Sequence, residues 1–471
     1  MMPIAPLPVR LGSWIQTTPI GRIFPHGQLS AGQLVTLGGV GLITIGTILL
    51  KTPWATTPGK PLSFLNALFT ATSAVSVTGL IVADTEKDFT MFGQTVILTL
   101  IQLGGLGYAI LATVLLIAVG QRIGLRDRMM MAEALSSLDL AGLIRFVKTI
   151  LIITFTLEGV GAFILTVRFS RDMPLLDAFG HGIFHAVSAF NNAGFSTFSQ
   201  NLIPYRGDSL VNVSISALIF LGGIGFIVFR DLLGYYRRER YRIQTHTSLA
   251  LLVSLGLWAI GAIGFYLMEW NNPATLGSQA PAEGAMVAAF HSVSSRSAGF
   301  NTLDLSLLRP STLYMLILLM IIGGSPGGTA GGIKTTTFGI VCLSVWAVFR
   351  QRLDVEFRYR RMPPHLVLRA LAIMFLAIGT LTTLTFLLSY LENKPFLALM
   401  FEVASALGTV GFSVGDGGVL SLSANLTDFG KVIILSSMLL GRFGPLLVGL
   451  VSLTPPVHMR YRFPESKVAI G

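Results

Sequence analysis

Apolar positions along this chain gather into long runs, most of them near the roughly 20 residues a helix needs to cross the hydrocarbon core of a bilayer. They are Leu34–Leu50, Thr95–Val119, Thr149–Val167, Ser248–Met268, Leu313–Ile322 continued by Phe338–Val348, Leu371–Tyr390 and Val432–Val451. Between them lie four shorter runs, Phe64–Thr72, Leu176–Ser188, Met286–Ser294 and Phe396–Ala406. Each is about half a membrane of helix, too short to cross, and is predicted to be re-entrant. The same order recurs four times: a long run, a polar or proline-bearing loop, a short run, a glycine motif, a second loop and a second long run.

The repeat is visible in the residues themselves. An aromatic-led, serine-rich stretch runs into a glycine from Phe69 to Gly79, Phe184 to Gly194, Phe290 to Gly299 and Phe401 to Gly411. A second glycine motif, expected inside an apolar helix, follows 24 to 30 residues later: Gly104-Gly-Leu-Gly107, Gly222-Gly-Ile-Gly225, Gly323-Gly-Ser-Pro-Gly327 and Gly441-Arg-Phe-Gly444. The units span residues 33–121, 143–236, 245–350 and 365–453, with the second span of the third unit broken. An N-terminal arm (1–32) and a C-terminal tail (454–471) flank them. The expected fold is an all-α integral membrane protein: four quasi-symmetric units of span, pore helix and span around one central cation pore, with eight spans and four half-helices. Non-helical backbone at membrane depth persists only where it is buried in protein or lines a wet cavity. Four glycine loops converging on one axis meet that condition. A topology that treats the short runs as surface loops leaves the repeated glycines unexplained. The third unit is one residue short, with 9 residues from Phe290 to Gly299 where the others have 10.

Composition agrees. The chain is 52% hydrophobic and 12% charged, with a mean hydropathy of +0.72, against about 25% charged in soluble domains. Its single cysteine, Cys342, excludes an intrachain disulfide and multi-cysteine metal sites. The net charge of +11 sits in a few loops: Arg122, Arg126 and Arg128; Arg230, Arg237, Arg238, Arg240 and Arg242; Arg350, Arg352, Arg358, Arg360 and Arg361; and Arg460, Arg462 and Lys467 in the tail. This placement reads as a topology signal and lipid headgroup contact rather than nucleic-acid binding. It puts both termini in the cytoplasm. A docking surface for a cytoplasmic partner is compatible with it. Prolines 3, 6 and 8 and the lack of a continuous apolar stretch after the first arginine argue against a signal peptide.

A potassium ion leaves water when carbonyl oxygens replace its hydration shell. Backbone carbonyls turn to one axis only in unusual conformations, which glycine reaches without a Cβ penalty. The candidate filter is therefore Val77-Thr78-Gly79, Asn192-Ala193-Gly194, Ser297-Ala298-Gly299 and Thr409-Val410-Gly411. Short helices would aim their negative carboxyl ends at the cavity. Calcium or magnesium would want carboxylates, and Glu402 is the only acid in the four phenylalanine-to-glycine stretches. Asp416, beyond Gly411, reads as an acid of the outer mouth or as an ordinary solvated residue. Arg296 is expected to pair with Glu402 or with carbonyls that support the filter. His185 and His291 occupy matching places without metal-ligand spacing, so no catalytic residue or metal centre is expected and the chain is not an enzyme. Glu158, the main acid in mid-span, reads as a proton relay or a buried structural pair.

These residues resemble the Trk/Ktr/HKT superfamily of potassium transporters over about Gln33 to Leu453. The specific pieces are Ser188–Phe195, Ser294–Phe300, Gly323–Thr337 and Gly441–Pro445. With its first run near position 33, the chain looks more like the Ktr membrane-subunit (KtrB) branch than the longer TrkH. The resemblance implies potassium uptake at the plasma membrane, filter glycines at Gly79, Gly194, Gly299 and Gly411, and a homodimer with one pore per subunit. Plant relatives with serine in the first loop prefer sodium, so Gly79 leans toward potassium. It also implies a cytoplasmic nucleotide-binding RCK ring, KtrA-like, which carries the nucleotide; this chain holds no cofactor beyond potassium in the pore, with sodium as a candidate activator. By resemblance and physics together, Gly323-Gly324-Ser325-Pro326-Gly327-Gly328-Thr329-Ala330-Gly331-Gly332 cannot hold a regular helix. It is expected to form an intramembrane gate, with Lys334 adding a cationic barrier; the alternative is a passive kink. Arg442 replaces the glycine found at 105, 223 and 324. It reads either as a cation barrier in the pore or as a structural arginine capping carbonyls. A gated channel-like permease is favoured over a sodium- or proton-coupled symporter, because the units run parallel and intramembrane acids are scarce.

Overall fold

The computed structural model describes residues 31–107, 140–238, 241–415 and 419–451. Most of the arm, the 122–128 arginines, Arg240, Asp416 and the tail lie outside them, as do residues 108–121 of the first unit. The regular secondary structure among the described residues is almost wholly helical. The helices are α1 (Ala31–Leu50), α2 (Phe64–Val75), α3 (Met91–Gly105), α4 (Leu140–Phe169), α5 (Leu175–Phe190), α6 (Ser209–Gly223) and α7 (Phe226–Tyr236). There follow α8 (Thr245–Glu269), α9 (Pro281–Ser294), α10 (Pro310–Ile321), α11 (Thr335–Phe349), α12 (Pro364–Leu391), α13 (Phe396–Gly408) and α14 (Asp428–Val451). One two-stranded hairpin, Glu356–Phe357 with Arg360–Arg361, sits in the basic loop before α12.

The short helices α2, α5, α9 and α13 start where the sequence supplies a stop and a cap. The Ser63 hydroxyl accepts the N–H of Asn66 at 3.2 Å. Pro174 and Pro395 occupy the N-cap of α5 and α13, and Pro281 opens α9, where the missing proline N–H costs nothing. Every lead phenylalanine is buried (Phe69, Phe184, Phe290, Phe401), and so is the residue after each predicted filter glycine (Leu80, Phe195, Phe300, Phe412). Each glycine loop is thus braced on both sides by apolar side chains inside the protein.

The long elements differ from the expectation in one respect. Among the described residues, three unbroken helices are long and apolar enough to span: Val147–Phe169, Thr245–Glu269 and Pro364–Leu391. The break expected only in the third unit also occurs in the second, where α6 and α7 meet at 93°. The pivot is Gly225, with φ of 94°. α3 likewise stops at its glycine motif, with Gly107 at φ of 85°. In these two places the motif ends a helix instead of lying within one. Only α14 runs through its motif, Gly441–Gly444; the two inner residues are arginine and phenylalanine, which tolerate helix better than glycine.

Candidate functional site: a ring of glycine loops and an unwound segment

The carboxyl ends of α2, α5, α9 and α13 deliver the twelve predicted filter residues to one place. In each loop the glycine has positive φ: 85° at Gly79, 71° at Gly194, 72° at Gly299 and 98° at Gly411. The residue two before it is also positive: Val77 (56°), Asn192 (57°), Ser297 (117°) and Thr409 (50°). A β-branched residue such as Val77 rarely adopts this conformation, and such outliers concentrate at functional sites.

The loops close on one another in sequence order. A Cβ built on Gly79 would lie 2.3 Å from the Ala193 carbonyl oxygen, and one on Gly194 would lie 2.6 Å from that of Ala298. On Gly299 it would lie 2.2 Å from the Val410 oxygen, and on Gly411 it would lie 2.4 Å from the Thr78 oxygen. The ring therefore returns to its start. Each glycine is needed twice, for its own backbone and for the neighbouring carbonyl that fills the space of a side chain. All four glycines line the floor of one cavity of 360 Å³, whose wall includes Asp84 and Asp304.

A serine on each short helix holds its loop. Ser73, Ser188, Ser294 and Ser405 stand four residues after the lead phenylalanines. Their backbone carbonyls accept the N–H groups of Thr78, Ala193, Ala298 and Val410 at 2.8–2.9 Å. The Ser73 and Ser405 hydroxyls accept the N–H of Gly79 and Gly411, while those of Ser188 and Ser294 donate to the carbonyls of Phe195 and Phe300. The shared serines were in plain view in the sequence, and their fixed offset was the signal for this role. They also locate the missing residue of the third unit. Ser294 to Ala298 is four residues where the equivalent bonds span five, so the shortening falls at the end of α9, beside Arg296.

Below the ring, the segment predicted as a gate is unwound between α10 and α11, and its ends are stitched together. Gly323 N–H donates to the Ile333 carbonyl and Ile333 N–H to that of Ile321, both at 3.0 Å. Several of its polar groups bond to other elements, as buried backbone requires. Ser325 and Thr329 donate N–H to the carbonyls of Gly223 and Gly222, and Phe226 donates to the Gly327 carbonyl. The α6–α7 bend is what presents those groups, which is why a second glycine motif breaks there.

The segment also touches the ring. The Asn192 carboxamide and the Thr329 hydroxyl are hydrogen-bonded at 2.8 Å, and Gly331 N–H donates to Ser297 Oγ at 3.1 Å. A Cβ on Gly331 would lie 2.1 Å from Thr409 Oγ1. Three cations cap its carbonyls. Arg442 donates to Thr329 and also, at 2.6 Å, to Gly104 of α3. Arg296 donates to Gly323 at 3.2 Å and to Ser254 at 2.8 Å, and Lys334 to Ala330 at 2.7 Å. Arg296 thus takes carbonyl partners rather than Glu402.

Glu402 is instead buried, accepting from Ser413 Oγ at 2.6 Å, Ser423 N–H at 2.9 Å and Ser423 Oγ at 2.5 Å. It ties α13 to the outer loop. Glu402→Ala is expected to lower the unfolding midpoint in detergent by an amount equivalent to about 3 kcal/mol, with Glu402→Gln intermediate. An unchanged midpoint for Glu402→Ala would show that the carboxylate does not brace this loop. His185 donates locally to the His181 carbonyl at 2.8 Å, with Ser196 on its other nitrogen, and His291 to the Val287 carbonyl at 2.9 Å. Glu158 accepts from Asn191 at 2.9 Å and Gln102 at 3.2 Å, so its partners are amides. No metal-ligating cluster occurs among the described residues.

The family model for TrkH, a cation transport protein, matches residues 42–454. A Bacillus subtilis protein, Ktr system potassium uptake protein B, is 39% identical over 450 residues, covering 96% of this chain and 99% of its own length. Potassium/sodium uptake protein NtpJ of Enterococcus hirae is 35% identical over 94% of this chain and 98% of its own. Among solved structures, the potassium transporter TrkH from Vibrio parahaemolyticus is similar with a TM-score of 0.69, over 91% of this chain and 86% of that one, at 19% identity.

Proposed function

The chain belongs to the TrkH family of cation transport proteins, and from that membership we propose that it takes up potassium through a gated, channel-like pore. The observation that carries the reading is the closed ring, in which each of four glycines meets the next loop's carbonyl. Four loops of this conformation supply stacked carbonyl oxygens to one axis, from residues 77–79, 192–194, 297–299 and 409–411. Such a cage replaces the shell of a weakly hydrated monovalent ion without charged ligands. The carboxyl ends of four short helices add negative potential, and Asp84 and Asp304 at the outer cavity attract cations to the mouth.

Residues 323–332, directly beneath, act as the gate. Their bonds to Asn192 and Ser297 hold the closed position, and Arg442 with Lys334 raises the barrier to a cation that has passed the ring. The relatives' names, potassium uptake and potassium/sodium uptake, support potassium as cargo; sodium is its proposed activator. A Ktr-type system implies a separate regulatory component. Here it is a cytoplasmic RCK ring binding nucleotide, set against a homodimer of this chain in the plasma membrane with both termini inside.

The test is rubidium uptake into proteoliposomes. Excess unlabelled potassium is expected to abolish the signal and excess sodium to leave most of it. Equal competition by both ions would overturn the selectivity reading. Glu158, a buried carboxylate among amides in α4, favours a second reading as a proton- or sodium-coupled symporter. Uptake that accumulates rubidium against its gradient when only a pH or sodium gradient is imposed would select that reading.

A further inference from the structure

One face of α12 borders open space beside the gate segment. Leu366, Arg369, Ala370, Ile373, Ala377 and Thr380 fall at helical spacing and share that face. They border two adjoining cavities, of 370 Å³ toward Leu366 and 220 Å³ toward Thr380, with Ile373 common to both. The segment contributes Pro326 to the first and Gly332 to the second; the other walls come from α8 and α11 in the first and from α10, α13 and α14 in the second. Together the two cavities follow about 21 Å of α12 as a groove, fourteen steps of 1.5 Å from Leu366 to Thr380.

Its surroundings define what fits it. At the Thr380 end the outer lip is Leu376, 50% exposed, and Leu440, 37% exposed. They lie on a surface that in a bilayer meets hydrocarbon. At the Leu366 end the lining includes the cation Arg369. The arginine hairpin at 356–361 is drawn to the same end, because Arg358 donates to Ser248 Oγ at 2.6 Å at the start of α8. Apolar walls toward the bilayer, cationic groups at one end and a length of about 21 Å match one class of molecule.

We propose that this groove holds an acyl chain of an anionic phospholipid, with its phosphate at the Arg369 end, and that the chain restrains the gate. The segment's other sides are occupied by Asn192 and Ser297 above and by the α6–α7 bend behind. Pro326 and Gly332 border the space the acyl chain fills, so a bound chain blocks displacement of the segment toward α12. A bound lipid holds the segment against the ring, and its loss frees it. The binding claim stands on the groove alone; the effect on flux rests on the gate reading above.

The experiment uses the full chain purified from membranes, with bound lipid measured by native mass spectrometry. Rubidium uptake is measured in parallel in phosphatidylcholine vesicles with and without phosphatidylglycerol. Wild type is expected to retain phosphatidylglycerol and to show lower resting uptake when it is present. Ala377→Phe, which fills the groove from its lipid-facing side, should retain about tenfold less and keep low uptake in both vesicles. Arg369→Gln should lose the preference for phosphatidylglycerol over phosphatidylcholine. Equal retention by wild type and Ala377→Phe would overturn the site. A disulfide between two copies carrying Ala377→Cys, in a Cys342→Ala background, would assign the groove to a second subunit and overturn it too. Lipid retention as expected with uptake blind to phosphatidylglycerol would keep the site and overturn the restraint on the gate.

Discussion

Gly299→Ala is expected to reduce potassium uptake by at least about tenfold and to abolish discrimination against sodium in whatever flux remains. Two effects act together. At φ of 72° an alanine pays about 1–2 kcal/mol for the left-handed backbone. Its Cβ would also lie 2.2 Å from the Val410 carbonyl oxygen and 3.0 Å from Gly411 Cα. Both obstacles are backbone, so no rotamer change relieves them and the seam between the third and fourth loops must open. Gly256 in α8 is the internal control, because a Cβ there meets nothing within 4 Å. Gly256→Ala should leave selectivity untouched and improve helix propensity slightly. Uptake and potassium preference of wild-type size in Gly299→Ala would eliminate the ring as the filter.

Arg442→Ala is expected to act in the opposite direction, raising resting flux by about tenfold or more. The guanidinium holds the Thr329 carbonyl of the unwound segment and the Gly104 carbonyl of α3 together. A hydrogen bond from a charged donor contributes about 1.5–3 kcal/mol, and each 1.4 kcal/mol is about tenfold in a two-state population. Losing the clamp frees the segment, and losing the charge raises cation occupancy beneath the ring. Both changes increase flux. Arg442→Lys separates them, since lysine keeps the charge but lacks the planar fork that bridges two carbonyls. Flux restored to the wild-type level by lysine would assign the effect to charge; flux as high as in alanine would assign it to the clamp. Unchanged flux in Arg442→Ala would end the functional reading of this residue.

The short helices were legible in the sequence because proline or serine fixes their starts. The run Leu176–Ser188 becomes Leu175–Phe190, and Phe396–Ala406 becomes Phe396–Gly408. Their ends were less clear, since the final turn consists of small and polar residues that propensity does not order. The α6–α7 bend was not legible at all. Gly222–Gly225 lies in an apolar run that reads as continuous helix, and the reason to break it is a segment about a hundred residues later whose N–H groups need those carbonyls. The contacts of the candidate site were hidden for the same reason. Asn192 and Thr329 are 137 positions apart, and Arg442 reaches Gly104 across 338. Local pattern identified which residues are unusual, and only the packing of distant units determined what each one touches.

The order in which the loops close, 79 to 194 to 299 to 411 and back, has a genetic consequence. In an assembly of four identical chains, one codon change alters all four sides of the axis at once. Here the four sides are separate positions of a single polypeptide, so mutation reaches them one quarter at a time. The third quarter already differs, shortened by a residue beside an arginine that grips the segment below. With the proposed filter role, ion preference can drift in small steps, each loop changing while three unaltered neighbours keep the opening in shape.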